Sequence, residues 1–194
     1  MLIVGLDEEQ VERDLLSGRL ACPACRSPLS PWGSARPRVI RLAAGPRTLC
    51  PRRSRCRSCD TTHVLLPSLC LARRRDAAAV IGAVIEAKVA GAGHRPIAKR
   101  LGLPSDTVRG WLRRFRARAG DIRMHFTRWA AALDPELGPI TPGGGEVADA
   151  LEAIAIAVRG RVLRFGPGAV WAIASELSGG LLLANTSCPF SAVR

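Results

Sequence analysis

Two cysteine pairs carry the most specific chemistry in this 194-residue chain. Cys22-Pro-Ala-Cys25 is followed, after thirty intervening residues, by Cys56-Arg-Ser-Cys59. Each C-x-x-C turn can wrap two thiolates around one ion, and four sulfurs in tetrahedral geometry select zinc. Four thiolates also close the coordination sphere, so Cys22, Cys25, Cys56 and Cys59 are expected to hold a structural Zn2+, not a catalytic one. A thioredoxin-like redox site would need a single pair opening a helix after a strand, whereas this chain has two pairs and no βαβ pattern. Cys50, Cys70 and Cys188 stand outside the pairs as buried or incidental thiols. Cys50 or His63 remains open as a substitute ligand if the register differs.

The elements around the cysteines must bring the two turns together. Leu2 onward is a short apolar run, and Asp7 then starts a helix with Glu8 and Glu9 in its first turn and Gln10 placed for a capping box. Gly18 ends it, and Leu6, Val11, Leu15 and Leu16 form its modest apolar face. Between the turns, Arg38-Val39-Ile40-Arg41-Leu42 alternates as a strand does. After the second turn, Thr61 to Leu66 is rich in strand formers. The predicted order is turn, strands, turn, strand. Arg52, Arg53, Arg55 and Arg57 form a basic approach to the second turn, either facing nucleic acid or compensating the charge of four thiolates.

The second organising stretch is Arg95 to Arg118, which reads as a helix, a tight glycine turn and a strongly basic helix. Ile97, Ala98 and Leu101 share one face of the first helix; Val108, Trp111, Leu112 and Phe115 share one face of the second. Ala98 must be small where the helices cross, and Gly102 supplies a left-handed turn residue. Leu103 plugs the angle between the helices. Pro104 suits the first helical position, and Ser105 and Asp106 suit the first turn. The pattern is that of a helix-turn-helix. Its outward face comprises Ser105, Asp106, Arg109, Gly110 and Arg113, followed by Arg114, Arg116 and Arg118, and this is the predicted DNA-binding surface. A support helix is expected over Asp76 to Ala90, capped by Asp76 and striped with Val80, Ile81, Val84, Ile85 and Val89. The arginine run Arg73-Arg74-Arg75 precedes it, and Ala92-Gly93-His94 turns the chain, with His94 a loop residue.

Charge supports a polyanionic partner. The chain carries 29 Lys+Arg against 16 Asp+Glu, a formal net charge of +13. Residues 1–75 hold 14 basic and 6 acidic side chains and residues 76–130 hold 11 and 4, but residues 131–194 hold only 4 and 6. The first two thirds therefore suit DNA phosphate, whereas the last third is free for packing or self-association. The opening MLIVGLDEEQ lacks the basic leader of a secretory signal, and no run of membrane length is free of glycine and charge, so a cytoplasmic, nucleoid-associated location without membrane contact is expected.

Beyond Gly120, Ile122 to Leu133 should be helical, with Met124, Phe126, Trp129 and Leu133 in core or interface. Pro135, Pro139, Pro142 and Gly143-Gly144-Gly145 mark a linker. The triple glycine lacks the Lys-Ser/Thr of a phosphate-binding loop. Glu146 to Val158 and Ala169 to Leu177 are expected as helices, and Gly179 to Asn185 as a closing strand or an exposed apolar tail. The expected organisation is a zinc-ribbon domain with a short helix at 1–72, a helix-turn-helix domain at 73–133, a Pro/Gly linker at 134–145 and a C-terminal helical segment at 146–194. The fold class is mainly α with a small β zinc ribbon, a helix-turn-helix bundle and a helical tail.

The pieces CPAC, RCRSCDTTHVLLP, IAKRLGLPSDTVRGWLRRF and ELSGGLLLANTS resemble an uncharacterised family from high-GC bacteria in which a zinc ribbon precedes a helix-turn-helix. Its members look like accessory or regulatory proteins of insertion sequences, often encoded beside an integrase-type transposase. The resemblance implies that Cys22, Cys25, Cys56 and Cys59 match the ribbon cysteines, that Ser105 to Arg116 matches the recognition helix, and that a transposase or integrase is a partner. The leading reading is a sequence-specific binder of double-stranded DNA, acting as regulator or targeting accessory of a mobile element, with a homodimer as one way to engage two half-sites. The alternatives are a truncated transposase retaining only its DNA-binding modules and a zinc-stapled protein–protein adaptor. A complete transposase is not expected. After residue 120 the acids are Asp121, Asp134, Glu136, Glu146, Asp149, Glu152 and Glu176, and no run of strands frames them as a two-metal nuclease requires.

Overall fold

Asp7 starts the first helix by accepting hydrogen bonds from the backbone N–H groups of Glu9 and Gln10, both at 3.0 Å. The computed structural model describes residues 1–138, 140–141 and 143–184; Asn185, Cys188, Pro139 and Pro142 lie outside the described residues. The helix, α1 (Glu8–Leu16), ends at Ser17, with Gly18 at φ 72°. The capping box is only half made, because the Gln10 amide donates to Asp14 instead of reaching back. Val11 and Leu15 are buried, whereas Leu6 and Leu16 face solvent.

The strands are β1 (Leu2–Val4), β2 (Leu29–Ser34), β3 (Arg38–Leu42), β4 (Gly45–Leu49), β5 (Arg52–Cys56) and β6 (Thr62–Pro67). They form a four-stranded sheet in the order β1-β6-β5-β2 and a β3-β4 hairpin. The expected sequence of turn, strands, turn, strand is found. The apolar opening, which reads only as a short run, becomes an edge strand running parallel to β6, with Leu2 opposite Leu65 and Val4 opposite Pro67. Ala43 and Ala44 close the hairpin between the paired Leu42 and Gly45.

Six helices follow: α2 (Ala78–Val89), α3 (His94–Leu101), α4 (Ser105–Arg116), α5 (Ala119–Leu133), α6 (Glu146–Phe165) and α7 (Val170–Leu177). The architecture is mixed α/β, with seven helices and a small sheet among the described residues. Asp76 does not cap α2; Ala77 occupies that position without a side-chain bond. Asp76 is buried and pairs with Arg41 of β3, Nε to Oδ1 at 2.9 Å, so this carboxylate ties the hairpin to the helices. Ile81, Val84 and Ile85 are fully buried, but Val89 ends on the surface. His94 opens α3 behind the Gly93 cap and is not a loop residue.

Gly102 closes α3 in the left-handed region (φ 61°, ψ 34°), and the Leu103 N–H returns to the Ala98 carbonyl at 2.9 Å. This is the six-to-one bond that ends a helix by reversing its last turn. Pro104 stands one residue earlier than expected, as the cap of α4, and its carbonyl accepts from Thr107 and Val108. Ile97 and Ala98 of α3 and Val108, Trp111 and Phe115 of α4 are buried in one cluster with α2.

In α5, Phe126 is buried as expected, but Met124 and Trp129 are exposed; the inward stripe is Ala119, Ile122, Phe126 and Ala130. The helix α6 runs past Val158 to Phe165 and lies along α5 in the same direction. Arg123 meets Asp149 near their beginnings, and a Cβ on Gly160 would come 3.1 Å from the Leu133 Cβ near their ends. Small residues on α6, namely Ala150, Ala153, Ala157 and Gly160, permit that approach. Parallel neighbours need a connection that travels back along a whole helix, about 22 Å at about 1.5 Å per residue. The Pro/Gly segment supplies that length, and Leu137 and Ile140 pack on the core along the way. Its glycines end in a specific contact, with the Gly143 and Gly144 N–H groups donating to Asp149 at 3.1 and 3.0 Å and holding that carboxyl below its usual range.

The segment after α7 is neither a strand nor an exposed tail in its described part. Leu182 and Leu183 are buried in the helical core, and the Gly180 carbonyl accepts from Ala72 at 2.8 Å. Packing of α7 on α2 is equally tight. A Cβ on Gly82 would fall 2.0 Å from the Trp171 ring, whose Nε1 donates to Glu86 at 2.7 Å. Gly82→Ala is therefore expected to push the indole out and destabilise the fold by roughly 1 to 3 kcal/mol, the usual cost of overpacking. Thermal denaturation followed by tryptophan fluorescence measures this.

Candidate metal centre and basic helix

Each cysteine pair is built by the same backbone device. The Cys22 N–H donates to the Ser27 carbonyl at 2.8 Å, and the Cys56 N–H donates to the Thr61 carbonyl at 2.9 Å, five residues on in both cases. The residue after the second cysteine is left-handed in both turns, Arg26 at φ 65° and Asp60 at φ 61°. Non-glycine residues adopt that region at a cost of about 1 to 2 kcal/mol, so each turn stores strain to aim its two sulfurs.

The first turn precedes β2 and the second follows β5. The antiparallel register Leu29 opposite Cys56 brings the turns side by side. All four sulfurs lie within 4.8 Å of one another. Cys22 and Cys59 are 3.7 Å apart and Cys25 and Cys56 are 3.4 Å apart. A tetrahedron of sulfurs about 2.3 Å from a central ion has edges of about 3.8 Å, so the donor set and its spacing fit one tetrahedral metal. Cys22 and Cys56 are fully buried, whereas Cys25 and Cys59 face outward.

The thiols differ in how readily they ionise. Cys59 is lowered to about 6 by hydrogen bonds from the Thr61 hydroxyl and N–H. For Cys56 the Cys59 N–H favours the thiolate, but burial and the bond to the Cys25 sulfur outweigh it and raise the thiol to about 11. Such a cluster gains four thiolates only when a cation takes up their charge, so binding an ion releases protons.

The remaining candidates separate clearly. Cys50 is exposed, with Sγ 3.4 Å from the Ala35 carbonyl, away from the cluster. Cys70 is buried, and burial raises its thiol to about 11. His63 belongs beside the centre: its Nε2 lies 3.4 Å from Cys22 Sγ and its Nδ1 3.3 Å from the Met1 amino group. In the neutral ring, Nε2–H donates to the sulfur, a supporting contact to a ligand in place of ligation. Thr61 supports Cys59 in the same way, a role that its position in a strand-forming run does not reveal.

Two of the four arginines in the basic approach to the second turn, Arg52 and Arg55, are committed to the protein itself. Arg52 grips Glu12 of α1 through two bonds at 2.8 and 3.0 Å. Arg55 pairs with Asp60 and stacks on Trp32 at 4.5 Å. Neither reading of this run as a nucleic-acid rim or as compensation for thiolate charge describes Arg52, which fastens α1 to the sheet.

The residues predicted to face DNA lie on α4 and just beyond it. Asp106, Arg109, Arg113 and Arg116 are exposed and recur at three- and four-residue spacing, hence along one stripe opposite Val108, Trp111 and Phe115. Arg109 pairs with Asp106 at 3.2 Å in the open. Ser105, Gly110, Arg114 and Arg118 are half-buried, with Arg118 at the junction to α5.

The chain thus joins a four-cysteine cluster to a helical bundle with an exposed arginine stripe. A family profile described as a domain of unknown function, DUF6431, matches residues 22–111, from the first clustered cysteine into the middle of α4. No curated protein matches the chain, and no solved structure does.

Replacing Cys22 or Cys56 by serine should abolish the metal content of the protein, expected at one ion per chain, and unfold the N-terminal sheet. Replacing Cys50 should leave the content unchanged. Metal analysis with circular dichroism compares the three variants.

Proposed function

We propose that the protein is a zinc-stapled, sequence-specific binder of double-stranded DNA that serves as a regulator or DNA-targeting accessory of a mobile element. The observation that carries this reading is α4, a helix fully anchored on one face by Val108, Trp111 and Phe115 and presenting Asp106, Arg109, Arg113 and Arg116 on the other. In this reading α3, the Gly102 turn and α4 are a helix-turn-helix, and α4 enters the major groove. Tetrahedral thiolate ligation favours Zn2+ as the ion. Its role is structural, because four sulfurs leave no open position.

Arg109 and Arg113 are the base readers, since guanidinium matches the paired acceptors of guanine. The exposed Arg109–Asp106 pair is worth little in water and is readily exchanged for a base. Gly110 keeps the helix surface low beside them, so that the backbone can approach the DNA closely. Arg114, Arg116 and Arg118 supply phosphate contacts, and Ser105 joins Arg109 and Arg113 in reading base edges. A homodimer is supported by apolar Leu163, Phe165 and Val170, which are exposed on the nearly neutral C-terminal helices. The mobile-element context rests on the sequence resemblance, and a transposase or integrase is the partner it suggests.

Binding of purified, zinc-loaded protein to duplexes selected from a random pool tests the reading, with scrambled duplex as competitor. Arg109→Ala or Arg113→Ala should cost about 1 to 3 kcal/mol on the selected site and relax its specificity. Equal losses on every duplex would reassign that arginine to phosphate. Absence of duplex binding would leave the adaptor reading.

A further inference from the structure

Four arginines outside the predicted DNA-binding set converge on one open groove of about 870 Å³. One wall is the start of β3 and its lead-in, with Arg36 and Arg38; the other is the loop before α2, with Arg73 and Arg75. Arg41 and Arg74 also line it. These last two have partners inside the protein, Arg41 in Asp76 and Arg74 in the Leu183 carbonyl. Among the described residues, Arg36, Arg38, Arg73 and Arg75 form no ion pair with a carboxylate, and no acidic residue lines the groove. The contrast with Arg52 and Arg55 is direct, because those are neutralised by Glu12 and Asp60.

The groove is held rigidly. The Arg41 N–H donates to the Arg75 carbonyl at 2.7 Å, Ala77 donates back to Arg41 at 2.9 Å, and Ala72 donates to Gly180 at 2.8 Å. Arg73 itself sits in the left-handed region at φ 57°, where glycine or asparagine would be easier. A strained backbone therefore carries a long cationic side chain into a cleft already crowded with like charge. Packing alone does not favour that arrangement, and an anion in the cleft would.

The groove also adjoins the arginine helix. Arg114 of α4 lies close enough to Arg74 to depress its guanidinium pKa, second only to burial. Leu71, two residues before Arg73, is buried in the same cluster as Val108, Trp111 and Phe115 of α4, so the loop walling the cleft and the arginine helix are built on one core, and duplex DNA has the length and charge density to meet both.

We propose that the groove formed by Arg36, Arg38, Arg73 and Arg75 grips the phosphate backbone of the same duplex whose bases α4 reads. This rests on the DNA-binding reading above. The contact is sequence-independent, so it adds affinity and register without discrimination.

The test uses the full-length zinc-loaded chain and labelled duplexes about three helical turns long, one carrying the selected site and one scrambled. Affinities are read over a range of salt. The triple variant Arg36→Gln/Arg73→Gln/Arg75→Gln should weaken binding to both duplexes by the same factor. Its log–log salt slope should be shallower by about 2.7, given about 0.9 per phosphate contact released. Arg109→Ala/Arg113→Ala should instead lower the ratio between the two duplexes. Arg73→Gly serves as the folding control, expected to melt no lower than the parent protein while binding both duplexes more weakly. A triple variant with unchanged affinity and slope, beside a parent that binds duplex, would overturn the groove and leave α4 as the reader. A parent that binds neither duplex would overturn both readings.

Discussion

Four sulfurs within 4.8 Å of one another are the constraint on which the N-terminal half depends. The core beside them is small, consisting of Val4, Val11, Leu15, Leu29 and Leu65 with the two buried cysteines themselves. It serves α1, β1, β2, β5 and β6, while β3 and β4 pack on a second cluster of Ile40, Leu49, Leu66, Cys70 and Ala77. The register of β2 against β5, at the pair Leu29 and Cys56, brings the two strained turns together, and an ion held by the four sulfurs would add the stability of that closure. Everything attached to that sheet inherits its position, including α1, clamped through Arg52 and Glu12, and His63, held against Cys22.

The helical half has a larger core, and its coupling to the sheet runs through a short weld. Residues 68–77 bond to β3, to α7 and the residues after it, and to β1. The contacts are Asp76 with Arg41, Ala72 with Gly180, Ser175 with the Cys70 carbonyl at 2.6 Å, and Ser68 with Val4 at 2.9 Å. Because this weld also carries Arg73, Arg74 and Arg75, the basic groove is built where the two halves meet. The match of one family profile across residues 22–111 fits that physical continuity, since it spans both cysteine turns, the weld and most of α4.

Much of the local structure was legible in the residues. The cysteine spacing, the Gly102 turn, the buried faces of α3 and α4 and the strand character of Arg38 to Leu42 follow from short-range stereochemistry and period. Expectation and structure part where a residue has two local uses and another side chain or helix chooses between them. Asp76 stands where a helix cap would, but Arg41 takes its carboxylate. Gln10 is placed for a capping box, but Asp14 accepts from its amide. Met124 and Trp129, apolar enough for a core or an interface, are exposed, because the small-residue stripe of α6 accepts the Ile122 and Phe126 face. Leu182 and Leu183 look like an exposed tail until Gly180 turns them under the weld; a Cβ there would meet Ile3 at 2.6 Å.

The sequence by itself determined which residues could chelate, which helix face would be buried and which would be arginine-rich, because those follow from side-chain chemistry and helical or strand period. Only the tertiary structure decided which charges are spent internally and which stand without a carboxylate among the described residues. Arg52, Arg55 and Arg41 are the same residue type as Arg36, Arg73 and Arg75, and nothing in their local sequence separates them. Glu12, Asp60 and Asp76 neutralise the first three, and the close packing of β3 against the loop before α2 gathers the others into a cleft without a carboxylate. Coulomb energy depends on distance through space, and distance through space is what the order of residues does not specify.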